Sequence, residues 1–353
     1  MKLEKKETQI SELGEFGLIE HLTKSIKIKN GTTIKGIGDD AAVLDYNNKK
    51  ILVTTDLLVE GIHFNLIYTP LKHLGYKAVA VNLSDICAMN GVPRQITVSI
   101  AISKKFTVEA IEELYEGIRL ACDKYGIDLI GGDTSSSLTG LLISVTAIGE
   151  ANETDIVYRS GAKVNDLICV SGDLGAAYMG LQLLEREKHV FTENSKPGSY
   201  RVQPDFSGHE YILERQLKPE PRIDIIKKLT EININPTSMI DISDGLSSEL
   251  MHICKNSNVG CKIYSDKIPI DITTCNMANE FNIAPETAAL NGGEDYELLF
   301  TVSLKEYEKI KNLKEISVIG NIIDESDGMN LISDDGKQIP ITAQGWNGLT
   351  QNE

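Results

Sequence analysis

Aspartates recur along this chain beside glycine, serine or threonine. They sit in Gly36-Ile37-Gly38-Asp39-Asp40, Thr54-Thr55-Asp56, Asn82-Leu83-Ser84-Asp85, Gly131-Gly132-Asp133-Thr134 and Asp241-Ile242-Ser243-Asp244-Gly245. A further segment, Asn291-Gly292-Gly293-Glu294-Asp295-Tyr296, adds a glutamate. Carboxylate and hydroxyl oxygens are hard ligands, and magnesium usually sits between one or two carboxylates and substrate phosphates. Several such ions neutralise a triphosphate and hold it for in-line transfer with little other chemistry from the protein. The set therefore points to metal-assisted phosphoryl transfer, with no side chain assigned as acid, base or nucleophile.

Each segment alone has a plainer reading. Asp39 and Asp40 make a solvated turn as readily as a metal turn. The Gly36 segment also fits a loose dinucleotide fingerprint, but that needs a preceding strand and a following helix, and AAVLDYNNKK reads as a short strand and turn. Asp56 closes an apolar strand, where ligands collect in α/β folds. Asn82 and Asp85, three apart, share one face of an apolar helix, where an unpaired carboxylate is costly. The alternative for Asp85 is a capped or salt-bridged core residue. Gly131 and Gly132 let a backbone approach a ligand closely, and Asp241 and Asp244 precede a helix whose N-terminus favours anions. Other phosphate devices are missing: there is no GxxxxGK[ST], no HRD or DFG set, and no HExxH.

The elements that must position these residues follow from periodicity. A helix is expected from Gly14 to Lys24, a strand over Ile51–Thr55 and a small-residue helix over about Lys72–Met89. Strand Gln95–Ala101, helix Thr107–Tyr125 and strands Leu129–Gly131 and Leu141–Gly149 complete a mixed sheet with helices on one face. A second unit starts near Asn152. It has strand Leu167–Ser171, helix Gly175–Glu187, a long polar loop over Lys188–Gly208, and helices near Arg222–Thr230 and Leu246–Asn256. Strands lie near Leu298–Val302 and, last, Ser317–Ile322. The expected fold is α/β (α+β) in two domains, 1–151 and 152–353.

Length and composition agree with two globular domains: 353 residues, 41% hydrophobic and 24% charged. Lys plus Arg is 35 against 51 Asp plus Glu, a formal charge of −16 that repels nucleic acid and anionic membranes. A polyphosphate ligand then needs local cations, and divalent metals supply them. No run approaches the roughly 20 apolar residues of a membrane span. The first residues, MKLEKKETQISELGEF, lack the apolar core of a secretion signal. Six cysteines with no CxxC pair read as reduced, mostly buried thiols of a cytoplasmic protein.

Assembled in order, these pieces resemble the thiamine-monophosphate kinase family of the aminoimidazole-ribotide-synthetase-like superfamily. The likeness runs from GEFGLI at Gly14 through GIGDDAAVL, TTDLLVEGIHF at Thr54, KAVAVNLSDICAMNGVP at Lys77 and GGDT to YRSGAKVND at Tyr158. PEPRID at Pro219, DISDGL, NGGEDYEL and a terminal Gly345-Trp346 complete it. The resemblance implies ATP-dependent phosphorylation of thiamine monophosphate and a homodimer whose N-terminal sheets join in a barrel. It implies that Asp40, Thr54, Thr55, Asp56, Asp85, Asp133, Asp241 and Asp244 hold several magnesium ions. Gly132, Asp133, Arg159 and Ser243 would contact ATP, and His63, Glu294 and Trp346 the thiamine moiety.

Chemistry is compatible with these roles. Arg159 beside a glycine turn suits phosphate, though a surface arginine is its plain alternative. Trp346, the sole tryptophan, could stack on an aromatic cation or plug the core. Glu294 could face the cationic ring or serve as a cap, and His63 is equally readable as a structural histidine. In two places the chain departs from the family: the Lys188–Gly208 loop is long, and GGDTSSS carries no arginine after GGDT, so that phosphate contact has to come from elsewhere. The acceptor is a phosphate monoester, already nucleophilic, so direct transfer without a general base or phosphoenzyme is expected. Two rivals stay open: another enzyme of the superfamily, and a non-catalytic acidic metal binder. The selenophosphate enzyme is disfavoured, because the first cysteine, Cys87, lies inside an apolar helix.

Overall fold

The computed structural model describes residues 33–35, 39, 42–46, 49–194 and 206–343. The expected Gly14–Lys24 helix, Asp40 and most of its turn, and Gly345-Trp346 lie outside the described residues.

Two sheets organise the chain. The first takes β1 (Thr33–Lys35), β2 (Ala42–Tyr46), β3 (Lys49–Val59), β4 (Val92–Ile102), β5 (Asp128–Ser136) and β6 (Leu142–Ala151). Its order is β1-β2-β3-β6-β4-β5. All pairs are antiparallel except β4–β5. The second takes β7 (Leu167–Ser171), β8 (Ser238–Asp241), β9 (Gly260–Tyr264), β10 (Leu298–Val302), β11 (Ile316–Ile323), β12 (Met329–Ile332) and β13 (Gln338–Pro340), in the order β13-β12-β9-β11-β7-β10-β8.

Helices α1 (Leu71–Ala88) and α2 (Val108–Tyr125) cover one face of the first sheet. α2 is written plainly in the sequence: Thr107 caps it by accepting from the Ala110 N–H, and Gly126 ends it at φ 69°. α1 is buried on nearly every side, because it also packs on β8 of the second sheet. Its approach to α2 depends on missing side chains. A Cβ on Gly75 would lie 2.0 Å from the Leu114 carbonyl oxygen, and one on Gly117 1.8 Å from that of Lys72. The second sheet carries α3 (Ala176–Asn194), α4 (Glu210–Leu217), α5 (Ile223–Glu231), α6 (Leu246–Ser257), α7 (Ile272–Glu280) and α8 (Pro285–Asn291).

Several expectations change. β3 runs on to Val59 because its ladder with β6 continues past Thr55, so Thr54-Thr55-Asp56 lies inside the strand. Gly131-Gly132-Asp133-Thr134 lies within β5, not after it, since pairing with β4 extends to Ser136. Helix α3 continues to Asn194, so residues 188–194 are not loop. β12 and β13 follow the strand read as last. All six cysteines are free, and five are buried. Among the described residues, no helix is long and apolar enough to cross a membrane.

Candidate active site

Helix α1 gathers the acidic residues because two of its faces carry polar side chains. Asn82 and Asp85 face β3. The Asp56 N–H donates to Asn82 Oδ1 at 3.0 Å, and Thr54 Oγ1 donates to Asp85 Oδ2 at 2.6 Å. Asn82 is itself fixed, its Nδ2 donating to the Ala78 carbonyl at 3.0 Å. Lys77 and Ser84, seven apart, share a second face toward the other sheet. Ser84 Oγ donates to Asp241 Oδ2 at 2.6 Å, and Lys77 Nζ lies 2.8 Å from Glu294 Oε1.

The second sheet delivers its residues from adjacent strands. Asp241 ends β8 opposite Leu298 of β10. Beyond that pair the two loops stay bonded: the Glu294 N–H donates to the Ser243 carbonyl at 2.7 Å, and the Tyr296 N–H to that of Ile242 at 2.9 Å. A Cβ on Gly293 would lie 2.5 Å from the Ser243 oxygen, so glycine is what lets the loops touch. Asp244 is placed by its N–H, which donates to Glu249 Oε1 at 3.1 Å from the first turn of α6.

Electrostatics show how crowded this wall is. Burial raises the Asp56 carboxyl to about 6. Burial also raises Asp241 to about 6, with the Asp56 charge adding to it while Ser84 and the Arg159 charge oppose. Glu249 is pushed well above the carboxylate range by burial and by the charges of Asp244 and Asp241. The Tyr296 phenol is raised by burial first, then by Glu294, Asp56, Asp241 and Asp85, so the charges of all four carboxylates reach it. Such a set is deficient in positive charge, and one Glu249 oxygen is buried without a hydrogen-bond partner. The donor chemistry fits divalent cations. Among the described residues, no three or more His, Cys, Asp or Glu side chains are grouped closely enough to hold a metal ion by themselves. An open wall suits magnesium, which keeps water and phosphate oxygens as ligands.

At the two ends of this wall lie the remaining residues. The Arg159 N–H donates to Asp39 Oδ1 at 3.0 Å, and its guanidinium charge acts on Asp241 and His252. At the other end the Val59 N–H donates to His63 Nδ1 at 3.1 Å, which leaves the neutral ring's proton on Nε2. Burial lowers the His63 pKa, while Glu294 raises it and Lys77 lowers it.

The structure therefore brings together Thr54, Asp56, Asp85, Asp241, Ser243 and Asp244, with Arg159 at one end and His63 and Glu294 at the other. It does not bring Thr55, Gly132 and Asp133 to them within one chain. Thr55 points to the opposite face of the sheet, where its hydroxyl donates to the Val145 carbonyl at 3.1 Å. Asp133 lies on that same open face, in a row with Ser99, Ser144 and Leu57. Three strand spacings separate it from β3, roughly 14 Å. Gly132 is required by β4, because a Cβ there would lie 1.8 Å from the Val98 oxygen. Asp40 and Trp346 lie outside the described residues.

Lys77, Ser84, Gln216, Glu249 and Tyr296 were missed by reasoning from motifs. For Lys77 and Ser84 a signal existed: two polar residues seven apart, on a face separate from that of Asn82 and Asp85, in a helix rich in small apolar residues.

A mixed sheet with two helices on one face, followed by a second α/β unit, defines the chain as a two-sheet α/β protein with carboxylates gathered between the sheets. Residues 38–151 match the family model described as AIR synthase related protein, N-terminal domain. The chain is 34% identical to the thiamine-monophosphate kinase of Aquifex aeolicus over 338 residues, covering 96% of this chain and 99% of that protein. It is 35% identical to that of Bacillus subtilis over 341 residues, covering 95% and 99%. A solved structure described as AaThiL complexed with AMPPCP and TMP superposes with a TM-score of 0.80 at 32% identity, covering 97% and 99%. This chain belongs to the thiamine-monophosphate kinase family and is an enzyme of that class.

Proposed function

We propose that this enzyme transfers the γ-phosphoryl group of ATP to the phosphate of thiamine monophosphate, releasing ADP and thiamine diphosphate. The observation that carries the reading is the meeting of Asp56, Asp85 and Asp241 around α1, in a chain whose family is known. Asp40, Thr54, Asp56, Asp85, Asp241 and Asp244 would hold magnesium. Bound magnesium supplies positive charge that screens the repulsion between nucleotide and acceptor and stabilises the transferring group. Arg159 and Ser243 contact the nucleotide. His63 and Glu294, at the far end, contact the thiamine moiety, and Trp346 is assigned to the same moiety by family resemblance.

The acceptor oxygen is already an anion at neutral pH, so no side chain needs to remove a proton. One bond forms between that oxygen and the γ-phosphorus, and the bond to the bridging oxygen of ADP breaks. Alignment and charge carry the step, with no phosphoenzyme.

The chain works as two units, 1–151 and 152–353, and as a homodimer whose first sheets join. Every residue of β5 is exposed, and Leu57 on the open face is 51% exposed, which supports a partner there. Gly132 and Asp133 then act on the partner's nucleotide. The charge of −16 supports a cytoplasmic enzyme of small molecules, with no nucleic-acid or membrane partner.

The test is ADP release with magnesium and a panel of acceptors: thiamine monophosphate, unphosphorylated thiamine and the acceptors of the related synthetases. Release with thiamine monophosphate alone is expected. Release with another acceptor alone would transfer the reading to a sister enzyme. Calorimetry with AMP-PNP and magnesium addresses the remaining rival, since a plain metal binder gives no nucleotide heat.

A further inference from the structure

Lys77 is a buried cation that no step above uses. Its side chain is 6% exposed, in the middle of an apolar helix, where an ammonium is stable only with fixed partners. It has two: Glu294 Oε1 at 2.8 Å and the Gln216 carbonyl at 3.0 Å. Gln216 closes the triangle, its Nε2 donating to Glu294 Oε2 at 2.7 Å. Both oxygens of Glu294 are thereby held from one side. The residue also sits at φ 59°, a left-handed conformation that a non-glycine residue keeps only when its surroundings fix it. The Glu294 side chain is nonetheless 30% exposed, so the contacts with Lys77 and Gln216 leave part of it accessible. His63 feels both charges and stands beside the pair.

We propose that Lys77 is a positioning residue for acceptor recognition. It fixes the Glu294 carboxylate at a set distance from the metal end of α1, so that the helix matches the length of the acceptor. Lys77 and Asp85 are eight residues apart, which is about 12 Å of helix rise. One rigid element thus carries the lysine that holds the acceptor's anchor and a proposed ligand for the metals beside its phosphate. The inference rests on the function proposed above and deepens it: Lys77 acts through Glu294 and never touches the nucleotide.

The experiment compares wild type, Lys77→Met, Lys77→Arg, Glu294→Gln and the Lys77→Met/Glu294→Gln double variant. KM for thiamine monophosphate and for ATP are measured separately, with the thermal midpoint of each variant. Lys77→Met is expected to raise KM for thiamine monophosphate about tenfold or more and to move KM for ATP less than about twofold. Lys77→Arg should recover most of that loss. In the Glu294→Gln background, Lys77→Met should add almost nothing, because the two residues act as one unit. The double variant also leaves no uncompensated buried charge, so it remains informative if Lys77→Met alone folds poorly. Equal changes in both KM values, or fully multiplicative losses in the double variant, would overturn the assignment. A wild type that releases no ADP with thiamine monophosphate would instead defeat the function on which it rests.

Discussion

The two faces of the first sheet treat their carboxylates in opposite ways. On the helix face, Asn82 accepts from the Asp56 backbone N–H, Thr54 donates to the Asp85 carboxylate, and the Asp56 charge acts on Asp241 of the second sheet. On the open face and its β5 edge, Asp133 stands exposed in a row of Ser99, Ser144 and Leu57. The first group shows a site assembled within one chain, where burial lifts Asp56 and Asp241 to about 6 and the Asp56 charge adds to the rise at Asp241. The second shows a carboxylate left exposed on an open strand. Similar motifs therefore predict different behaviour on mutation.

The largest effect should fall on the helix face. Asp56→Asn removes one of two repelling buried charges. It should lower kcat/KM for thiamine monophosphate about 10³-fold or more, with a thermal midpoint no lower than wild type. A large fall in midpoint would mean that the pair is structural and would break the contrast. Next comes the frame beneath that face. Gly75→Ala forces a Cβ into the Leu114 carbonyl, 2.0 Å away, and should destabilise the fold by about 2–3 kcal/mol in urea titrations. No comparable loss is expected from Asp133→Asn on the exposed strand.

The edge has its own test. If Asp133 serves a partner's site, inactive Asp56→Asn and inactive Asp133→Asn chains should complement when mixed and allowed to exchange. Half of the dimers are then mixed and half of their sites intact, so about a quarter of wild-type activity should return. No recovery would place Asp133 in its own chain's chemistry or outside it altogether.

The smallest effect concerns His252, on which the Arg159 charge acts. Burial first, then the Arg159 and Lys255 charges, lowers it to about 4. The unfolded chain, with the ordinary value of 6.5, binds the proton more readily. His252 therefore contributes stability above pH 6.5 that is lost as pH falls toward 4. His252→Gln should flatten that part of the stability profile, as read by thermal midpoints across the range.

Much of this was legible in the sequence, for reasons that differ by element. α2 declares its ends through Thr107 and Gly126, and β7 and β10 are short apolar runs. α1 was visible as a helix, and Asn82 and Asp85 as one face of it. What it faced was not, because Ser84 meets Asp241 and Lys77 meets Glu294 only after the two sheets pack. β3 and β5 were drawn too short because aspartate and glycine read as strand ends, whereas ladder pairing with β6 and β4 carries both strands through them. The face on which Thr55 and Asp133 project depends on that pairing, so no motif could reveal it. The glycine pair at Gly131 looked like a ligand approach, and for Gly132 the close neighbour is the backbone of β4.

The most direct test of the account is phosphorus NMR of the enzyme with ATP, magnesium and thiamine monophosphate, run beside Asp56→Asn. The account predicts that the monoester signal gives way to the paired resonances of thiamine diphosphate, one for each ADP formed, and that the variant leaves the monoester intact. Persistence of the monoester with wild-type enzyme, or equal conversion by Asp56→Asn, would contradict it.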